Sequence, residues 1–153
     1  MIIIKKLYFI FIALALGAAC QAKATLGAAP LAQIEPYTIM NQTPLQTATG
    51  VPYLVIIQQN TRGMVLKEFV YQGLVFAQLW FGSALPNLNI VLGDQYYARY
   101  EQALNHSNRT SHRQLQLIDN EFTLTNYGRM GDFWGTSYLS NRFPSGFSIN
   151  NIQ

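Results

Sequence analysis

The chain contains little charge and few of the side chains that bind metals or act as nucleophiles. Only 11% of its 153 residues are Asp, Glu, Lys or Arg, and it has one cysteine and two histidines. A zinc site needs three or four converging ligands, and a disulfide-stabilised scaffold needs several paired cysteines. We therefore expect no metal or other cofactor, and a domain stabilised by packing alone.

The motifs of common nucleophilic and phosphate-binding sites are also missing. The sequence contains no Gly-x-Ser-x-Gly, Ser-x-x-Lys or Gly-x-Gly-x-x-Gly pattern. Paired carboxylates remain a route to the hydrolysis of sugar or peptide bonds. Glu68 is the candidate catalytic acid because it lies within an otherwise apolar strand. An ion pair or a solvent-facing strand position is the simpler explanation of that residue.

The first 24 residues have the pattern of a secretory signal peptide. Lys5 and Lys6 precede an apolar run at residues 7–19, which is followed by Ala22-Lys23-Ala24. The run is shorter than the roughly 20 apolar residues that a membrane-spanning helix needs. We predict cleavage after Ala24, no integral membrane span after cleavage, and a periplasmic or extracellular protein.

Cleavage after Ala24 changes the charge and the cysteine content of the chain. The full sequence has a net charge of +3, but three lysines lie in residues 1–24, which leaves seven basic and seven acidic residues. A neutral domain does not favour nucleic acid as a partner, because such binding depends on clustered Lys and Arg. Cys20 would be removed as well. The alternative is that Cys20 is lipidated and tethers a structural lipoprotein to a membrane.

Residues 25–52 are rich in Pro and Thr and predict an extended segment, with a short edge strand at residues 37–40. Residues 53–153 predict a single α+β domain. Three apolar or aromatic stretches, separated by short glycine-containing turns, indicate an antiparallel meander. These stretches are residues 53–59, 64–71 and 74–81.

A long amphipathic helix and further strands follow the meander. Apolar residues recur at helical spacing over residues 86–104, with Pro86 in the first turn and Gly93 at a close contact with the sheet. Later strands are predicted at residues 114–118, 121–127 and 130–139. We therefore expect an antiparallel meander sheet of five or six strands, in the order β-β-β-α-β-β-β, packed against one helix.

A series of short motifs occurs in a fixed order between Lys67 and Ile152. They are Lys67-Glu68-Phe69-Val70, Gly73-Leu74-Val75-Phe76-Ala77, Trp80, Gly82, Pro86, Leu88, Leu92-Gly93, Tyr100, Gly128, Met130, Phe133, Gly135, Tyr138-Leu139, Pro144-Ser145-Gly146 and Ile152. In order and spacing the chain resembles the bacterial secreted family called domain of unknown function 2844. The resemblance implies a mature chain that begins near Leu26-Gly27, in agreement with cleavage after Ala24.

The resemblance implies no activity, since the family is named for an unknown function. It also implies a Gly-His-Met-Arg run where this chain has Gly128-Arg129-Met130-Gly131. The chain therefore lacks the histidine that would be the most obvious chemical group at that place.

Aromatic residues are the remaining distinctive feature, with 17 in residues 25–153. Exposed Trp and Tyr often form contact surfaces, although packing between helix and sheet also accounts for such residues. Trp134 is the best surface candidate because Phe133 and Trp134 should point to opposite sides of a strand. Arg129 and Asp132 could pair across a turn or line a groove. The predicted partner surface is Trp80, Arg129, Asp132, Trp134 and Tyr138.

These observations favour a non-enzymatic binding or assembly-accessory module of the bacterial envelope. We expect it to contact an envelope protein or a glycan through an exposed sheet edge or an aromatic patch near Trp134 and Tyr138. One alternative is an envelope hydrolase in which Glu68 and a second acid cleave sugar or peptide bonds. The other is the lipid-tethered structural protein anchored through Cys20.

Overall fold

The structure is a computed structural model that describes residues 26–30, 37–106 and 114–152. The predicted signal peptide, its cleavage site and the alternative lipidation site at Cys20 lie outside the described residues. None of the helices in the described ranges is long and apolar enough to cross a membrane.

In these ranges the chain forms seven strands, one long helix and two short 3-10 turns. The strands are β1 (Tyr37–Gln46), β2 (Pro52–Asn60), β3 (Val65–Tyr71), β4 (Leu74–Gly82), β5 (Gln114–Ile118), β6 (Phe122–Arg129) and β7 (Asp132–Leu139). The helix α1 (Leu88–His106) connects β4 to β5, and the 3-10 turns are Ser140–Arg142 and Ile149–Asn151. All pairings are antiparallel, and the spatial order is β1-β2-β3-β4-β7-β6-β5.

The α+β class and the antiparallel sheet agree with the sequence-based prediction, but the strand count and the element order were wrong. The structure has seven strands, four of them before the helix. The difference arises at β1, which is ten residues long and not a short piece at residues 37–40. Pro44 is tolerated there because β1 pairs with β2 on one side only and forms an edge of the sheet.

Two tight turns close the predicted meander. Between β2 and β3, the Asn60 side-chain oxygen accepts hydrogen bonds from the N–H groups of Arg62 and Met64, each at 2.9 Å. Between β3 and β4, Gln72 and Gly73 both have positive φ, 52° and 78°. Two consecutive positive φ angles suit the twist of an antiparallel hairpin, so these turns join β2, β3 and β4 in the predicted way.

The helix differs from its prediction at its start and near Gly93. Asn87 caps it, since its side-chain oxygen accepts from the N–H groups of Asn89 at 3.2 Å and Ile90 at 3.4 Å. Pro86 therefore precedes the helix and does not lie in its first turn. Gly93 has φ 73° and ψ 166°, which interrupts the helix. Glycine at this buried position is needed for the backbone conformation, which L side chains rarely adopt.

The sheet separates two apolar cores. Helix α1 packs on one face, where the fully buried side chains of Met64, Leu66, Trp80 and Leu92 lie. On the other face a smaller core contains Phe69 and Phe76, with Phe143, Phe147 and Ile152 of the C-terminal segment packed on it. Burial of both faces near the middle of the sheet agrees with the largely apolar sequences of β3 and β4, which are interrupted only by Lys67, Glu68 and Gln78.

Residues 26–28 dock on β4. The Gly27 N–H donates to the Val75 carbonyl at 2.7 Å, and the Val75 N–H donates to the Ala28 carbonyl at 2.8 Å. Leu26 is buried, and Arg142 donates to the Gly27 carbonyl at 3.2 Å. The start of the described chain is therefore part of the folded domain.

Candidate functional site

The sheet face opposite α1 is covered over only part of its area. Residues 143–152 pack on its centre, at Phe69, Phe76 and Ala77. Beyond this cover, among the described residues, Phe81 remains 40% exposed and Trp134 44% exposed. We call the uncovered part the open face.

One row of side chains crosses the open face from strand to strand. The pairing register places Phe81 opposite Trp134 and Trp134 opposite Tyr127, and directly opposed residues share a face. We call this row the aromatic rung. From β2 to β5 it consists of Gln59, Val65, Phe81, Trp134, Tyr127 and Gln114.

Three of the side chains of the aromatic rung, Trp134, Tyr127 and Gln114, contact one another in sequence. The ring centroids of Tyr127 and Trp134 are 4.7 Å apart at an interplanar angle of 52°. The Gln114 side-chain amide donates to the Tyr127 hydroxyl at 2.9 Å. The Lys67 ammonium lies 5.8 Å from the centroid of Phe81, within range of a cation–π interaction. These contacts fix Tyr127 against Trp134 and place Lys67 beside Phe81, while Phe81 and Trp134 are neighbours through the strand register.

A second rung lies beside the first and contains no aromatic residue. It consists of Ile57, Lys67, Leu79, Thr136, Thr125 and Gln116. All of these side chains are half-buried except Gln116, which is exposed. Neither rung contains a carboxylate, so the open face offers apolar rings, amides, hydroxyls and the Lys67 cation.

Glycines on β6 and β7 make room for large side chains on the helix side of the sheet, behind Trp134. A Cβ added at Gly128 would lie 2.6 Å from the ring of Phe133, which packs on the helix side of the sheet. A Cβ at Gly135 would lie 2.5 Å from Trp80, which is fully buried on that side. Because side chains alternate along a strand, Trp134 lies on the open face, between Phe133 and Gly135.

The structure places the five predicted surface residues in different environments. Trp134 lies on the open face. Arg129 and Asp132 face each other across the two-residue turn Met130-Gly131 at one end of it. Trp80 is fully buried against α1 and is not on the surface. Tyr138 shares the side of the sheet with Trp134 but packs against Phe143, 5.5 Å between centroids, under the C-terminal segment.

Two members of the aromatic rung, Phe81 and Tyr127, were not among the predicted site residues. Strand alternation alone suggests that Phe81 points away from its neighbour Trp80. The missing information was the pairing of β4 with β7, which brings Phe81 opposite Trp134.

Glu68 belongs to a buried polar row beneath α1. It is fully buried, and its carboxylate accepts a hydrogen bond from Gln58 at 2.7 Å. In the same row, Ser137 donates to the Gln78 oxygen at 3.0 Å and the Gln78 amide donates to the Val91 carbonyl at 2.9 Å. The helix break at Gly93 is two residues from Val91, and carbonyls at a break need partners outside the helix. The row therefore anchors α1 to the sheet.

Burial raises the pKa of the nearby Tyr37 hydroxyl, and the Glu68 charge raises it further, against a lowering by Asn60. The tyrosine is therefore neutral at physiological pH. In the described parts of the chain, no three His, Cys, Asp or Glu side chains are placed to hold a metal ion.

Other titratable groups lie at the surface of the β5–β6 turn. Arg99 bridges two carboxylates there, at 3.0 Å from Asp119 and 3.5 Å from Glu121. Of the two histidines, His106 ends α1 with a ring nitrogen 2.7 Å from the Gln102 carbonyl, and His112 lies outside the described residues.

The fold and the open face together define a small α+β domain in which an antiparallel sheet carries one helix and leaves part of its other face uncovered. The family described as protein of unknown function DUF2844 matches residues 22–152, and the chain belongs to that family. The resemblance in the sequence is thereby confirmed. No curated protein and no solved structure matches the chain significantly.

Proposed function

We propose that this protein is an exported, non-enzymatic binding module of the bacterial envelope that contacts its partner through the open face. The observation that carries the proposal is the exposure of Phe81 and Trp134 side by side on a sheet face. Aromatic residues are enriched at contact surfaces, and contiguous exposed apolar groups mark such sites. Export to the periplasm or the medium is supported by the signal-peptide pattern of residues 1–24.

The open face is favoured over a sheet edge as the contact surface. Edge strands that avoid pairing with other chains are short, bulged or interrupted by proline. β1 has an irregularity between Ile39 and Asn41 and contains Pro44, and β5 is five residues long. These features hinder the addition of a further strand, whereas the rings of the open face remain accessible.

The environment of Glu68 favours binding over hydrolysis. A glycosidase acid has to reach the scissile bond together with a second carboxylate. Glu68 is buried between the sheet and α1 and accepts a hydrogen bond from Gln58. Its position supports a structural role for the polar row, so the proposal assigns no catalytic residue.

Photocrosslinking in cells tests the proposal. Met130 is fully exposed in the turn at the end of the open face, and Ala98 is exposed on α1, on the other side of the sheet. A benzophenone amino acid at position 130 should give a crosslinked adduct in the envelope fraction, and the same group at position 98 should not. Trp134→Ala should abolish the adduct at position 130. Equal adducts from both positions, or none from position 130, would contradict the proposal.

A further inference from the structure

We infer that the ligand of the open face is a neutral glycan chain that lies along the aromatic rung, across the strands. This inference rests on the proposed binding function and adds the chemical class of the ligand. It follows from the size of the open face, its charge and the arrangement of its polar groups.

The open face is long, narrow and small. Its two rungs cross six strands from β2 to β5 and continue on β1 through Thr38 and Asn41, which the register places opposite Gln59 and Ile57. Over all seven strands the length is roughly 29 Å at about 4.8 Å per strand spacing, and the width of the two rows is roughly 14 Å. The resulting flat area of roughly 400 Å² is about half of the roughly 800 Å² per partner of a stable protein interface. A second copy of this chain or another folded domain would need a larger surface. A single linear polymer fits these dimensions.

The charge of the open face indicates a neutral ligand. The aromatic rung consists of uncharged side chains, and the second rung contributes one cation, Lys67, whose ammonium lies near the ring of Phe81. Arg129 and Asp132, at one end of the open face, carry opposite charges and add no net charge. Nucleic acids and other polyanions are bound by several clustered cations. A strongly cationic ligand would require carboxylates, which neither rung contains. The face therefore selects a ligand through apolar contact and neutral hydrogen bonds.

The order of groups along the rung matches the chemistry of a sugar chain. Phe81, Trp134 and Tyr127 occupy three adjacent strands and form an apolar strip about 10 Å long. Such rings can pack against the C–H faces of sugar rings. Gln59 and Gln114 lie at the two ends of the rung, and Thr125 and Thr136 lie beside it, so amides and hydroxyls are available for sugar hydroxyls.

An extended peptide is the less suitable linear ligand. Peptides that bind sheets usually pair their backbone with an open edge, and the irregularity and Pro44 on β1 and the shortness of β5 disfavour that mode. On a sheet face the backbone N–H and C=O groups of a peptide would find few partners. A glycan carries its hydrogen-bonding groups around each ring and does not depend on an edge.

Fluorescence titration tests the inference, because Trp134 lies within the proposed site and Trp80 is fully buried. The probes are the hexamers of β-1,4-linked glucose and of β-1,4-linked N-acetylglucosamine. We expect a saturable change in tryptophan emission with at least one of them. Phe81→Ala should weaken that binding by roughly tenfold, as expected for the loss of one stacking ring.

Leu74→Ala is the matched control. Leu74 and Phe81 lie at opposite ends of β4 and are both 40% exposed, but only Phe81 is in the rung. The control should bind the hexamers as the wild-type protein does. Absence of a saturable change up to millimolar concentrations of both hexamers, or equal weakening by the two substitutions, would overturn the glycan inference.

The crosslinking experiment at position 130 separates this inference from the proposed function. An adduct in which mass spectrometry finds peptides of a second protein at the crosslink would support a binding module with a protein ligand, and would overturn only the glycan inference. An adduct that is shortened by glycan-degrading enzymes would support both. Failure to form any adduct would contradict both.

Discussion

The indole of Trp80 packs directly over Gly135, its partner on the neighbouring strand β7. A Cβ at Gly135 would lie 2.5 Å from Cζ2 of Trp80 and 2.6 Å from the Thr125 carbonyl oxygen. Trp80 is fully buried, so the largest side chain of the helix-side core depends on the absence of a side chain at Gly135. Trp134, the residue before Gly135, points to the open face because side chains alternate along a strand.

Gly135→Ala should therefore destabilise the domain. The added methyl group meets a buried ring and a backbone oxygen, and overpacking of this kind typically costs about 1–3 kcal/mol. Urea denaturation of the wild-type and variant proteins gives the change in unfolding free energy. In a Trp80→Phe background the smaller ring should reduce the cost of Gly135→Ala. An equal cost in both backgrounds would show that Trp80 is not the cause.

The hydrogen bonds of Gln78 give a second prediction. Gln78→Leu leaves the Ser137 hydroxyl and the Val91 carbonyl without their partner in a fully buried region. An unsatisfied buried polar group costs about 1–3 kcal/mol, so this substitution should be clearly destabilising. Ser137→Ala removes one of the two groups that lose their hydrogen-bond partner in Gln78→Leu. A double-mutant cycle by urea denaturation should show that the double variant loses less stability than the sum of the single variants, and additive losses would contradict the coupling.

Much of the central sheet was predictable because its residues are buried on both faces. Strands β2, β3 and β4 form apolar stretches separated by glycine-containing turns, and these signals are local. The full length of β1 gave no such signal, since most of its residues are exposed and Pro44 interrupts the pattern. The interruption of α1 at Gly93 could not be predicted from the sequence pattern either, because apolar residues at helical spacing continue on both sides of it.

Of the aromatic rung, only Trp134 was predictable from the sequence, and the row as a whole was not. Alternation was enough to predict that Phe133 and Trp134 point to opposite sides of the sheet. Phe81 joins Trp134 only through the pairing of β4 with β7, which are far apart in sequence, and Tyr127 joins it through the register of the β6–β7 hairpin. Trp80 was assigned to the surface for its residue type, whereas its position on β4 buries it.

The predicted signal cleavage can be checked by intact-mass spectrometry of the protein purified from the envelope or the medium. We expect the mass of residues 25–153, with the docked segment at Leu26–Ala28 directly after the new amino terminus. Cys20→Ser should not change that mass or the localisation. A chain that begins at Cys20 and carries acyl groups would show a lipoprotein, and would contradict cleavage after Ala24.

Asp119 stabilises the β5–β6 turn in its charged form. Burial would raise the pKa of its carboxyl, but hydrogen bonds from the N–H groups of Phe122, at 2.7 Å, and Glu121, at 2.9 Å, lower it. The Arg99 guanidinium at 3.0 Å lowers it further, so the pKa lies below its usual value. A carboxyl whose pKa is lower in the folded state binds protons more readily in the unfolded chain, so folding becomes more stable as the pH rises.

The contribution of the Asp119 charge should therefore be complete above the unfolded pKa of about 3.9 and disappear as the pH falls through the lower folded value. Asp119→Asn keeps a side-chain oxygen but removes the charge. It should cost up to about 1 kcal/mol of unfolding free energy at neutral pH, since the ion pair with Arg99 is partly exposed and screened by solvent.

Urea denaturation between pH 2 and pH 7 should show that the unfolding free energies of the variant and the wild-type protein become equal at the acidic end. Asn120→Ala, in the same turn, should shift stability equally at every pH. A constant difference between Asp119→Asn and the wild type across this range would show that the charge of Asp119 does not stabilise the turn.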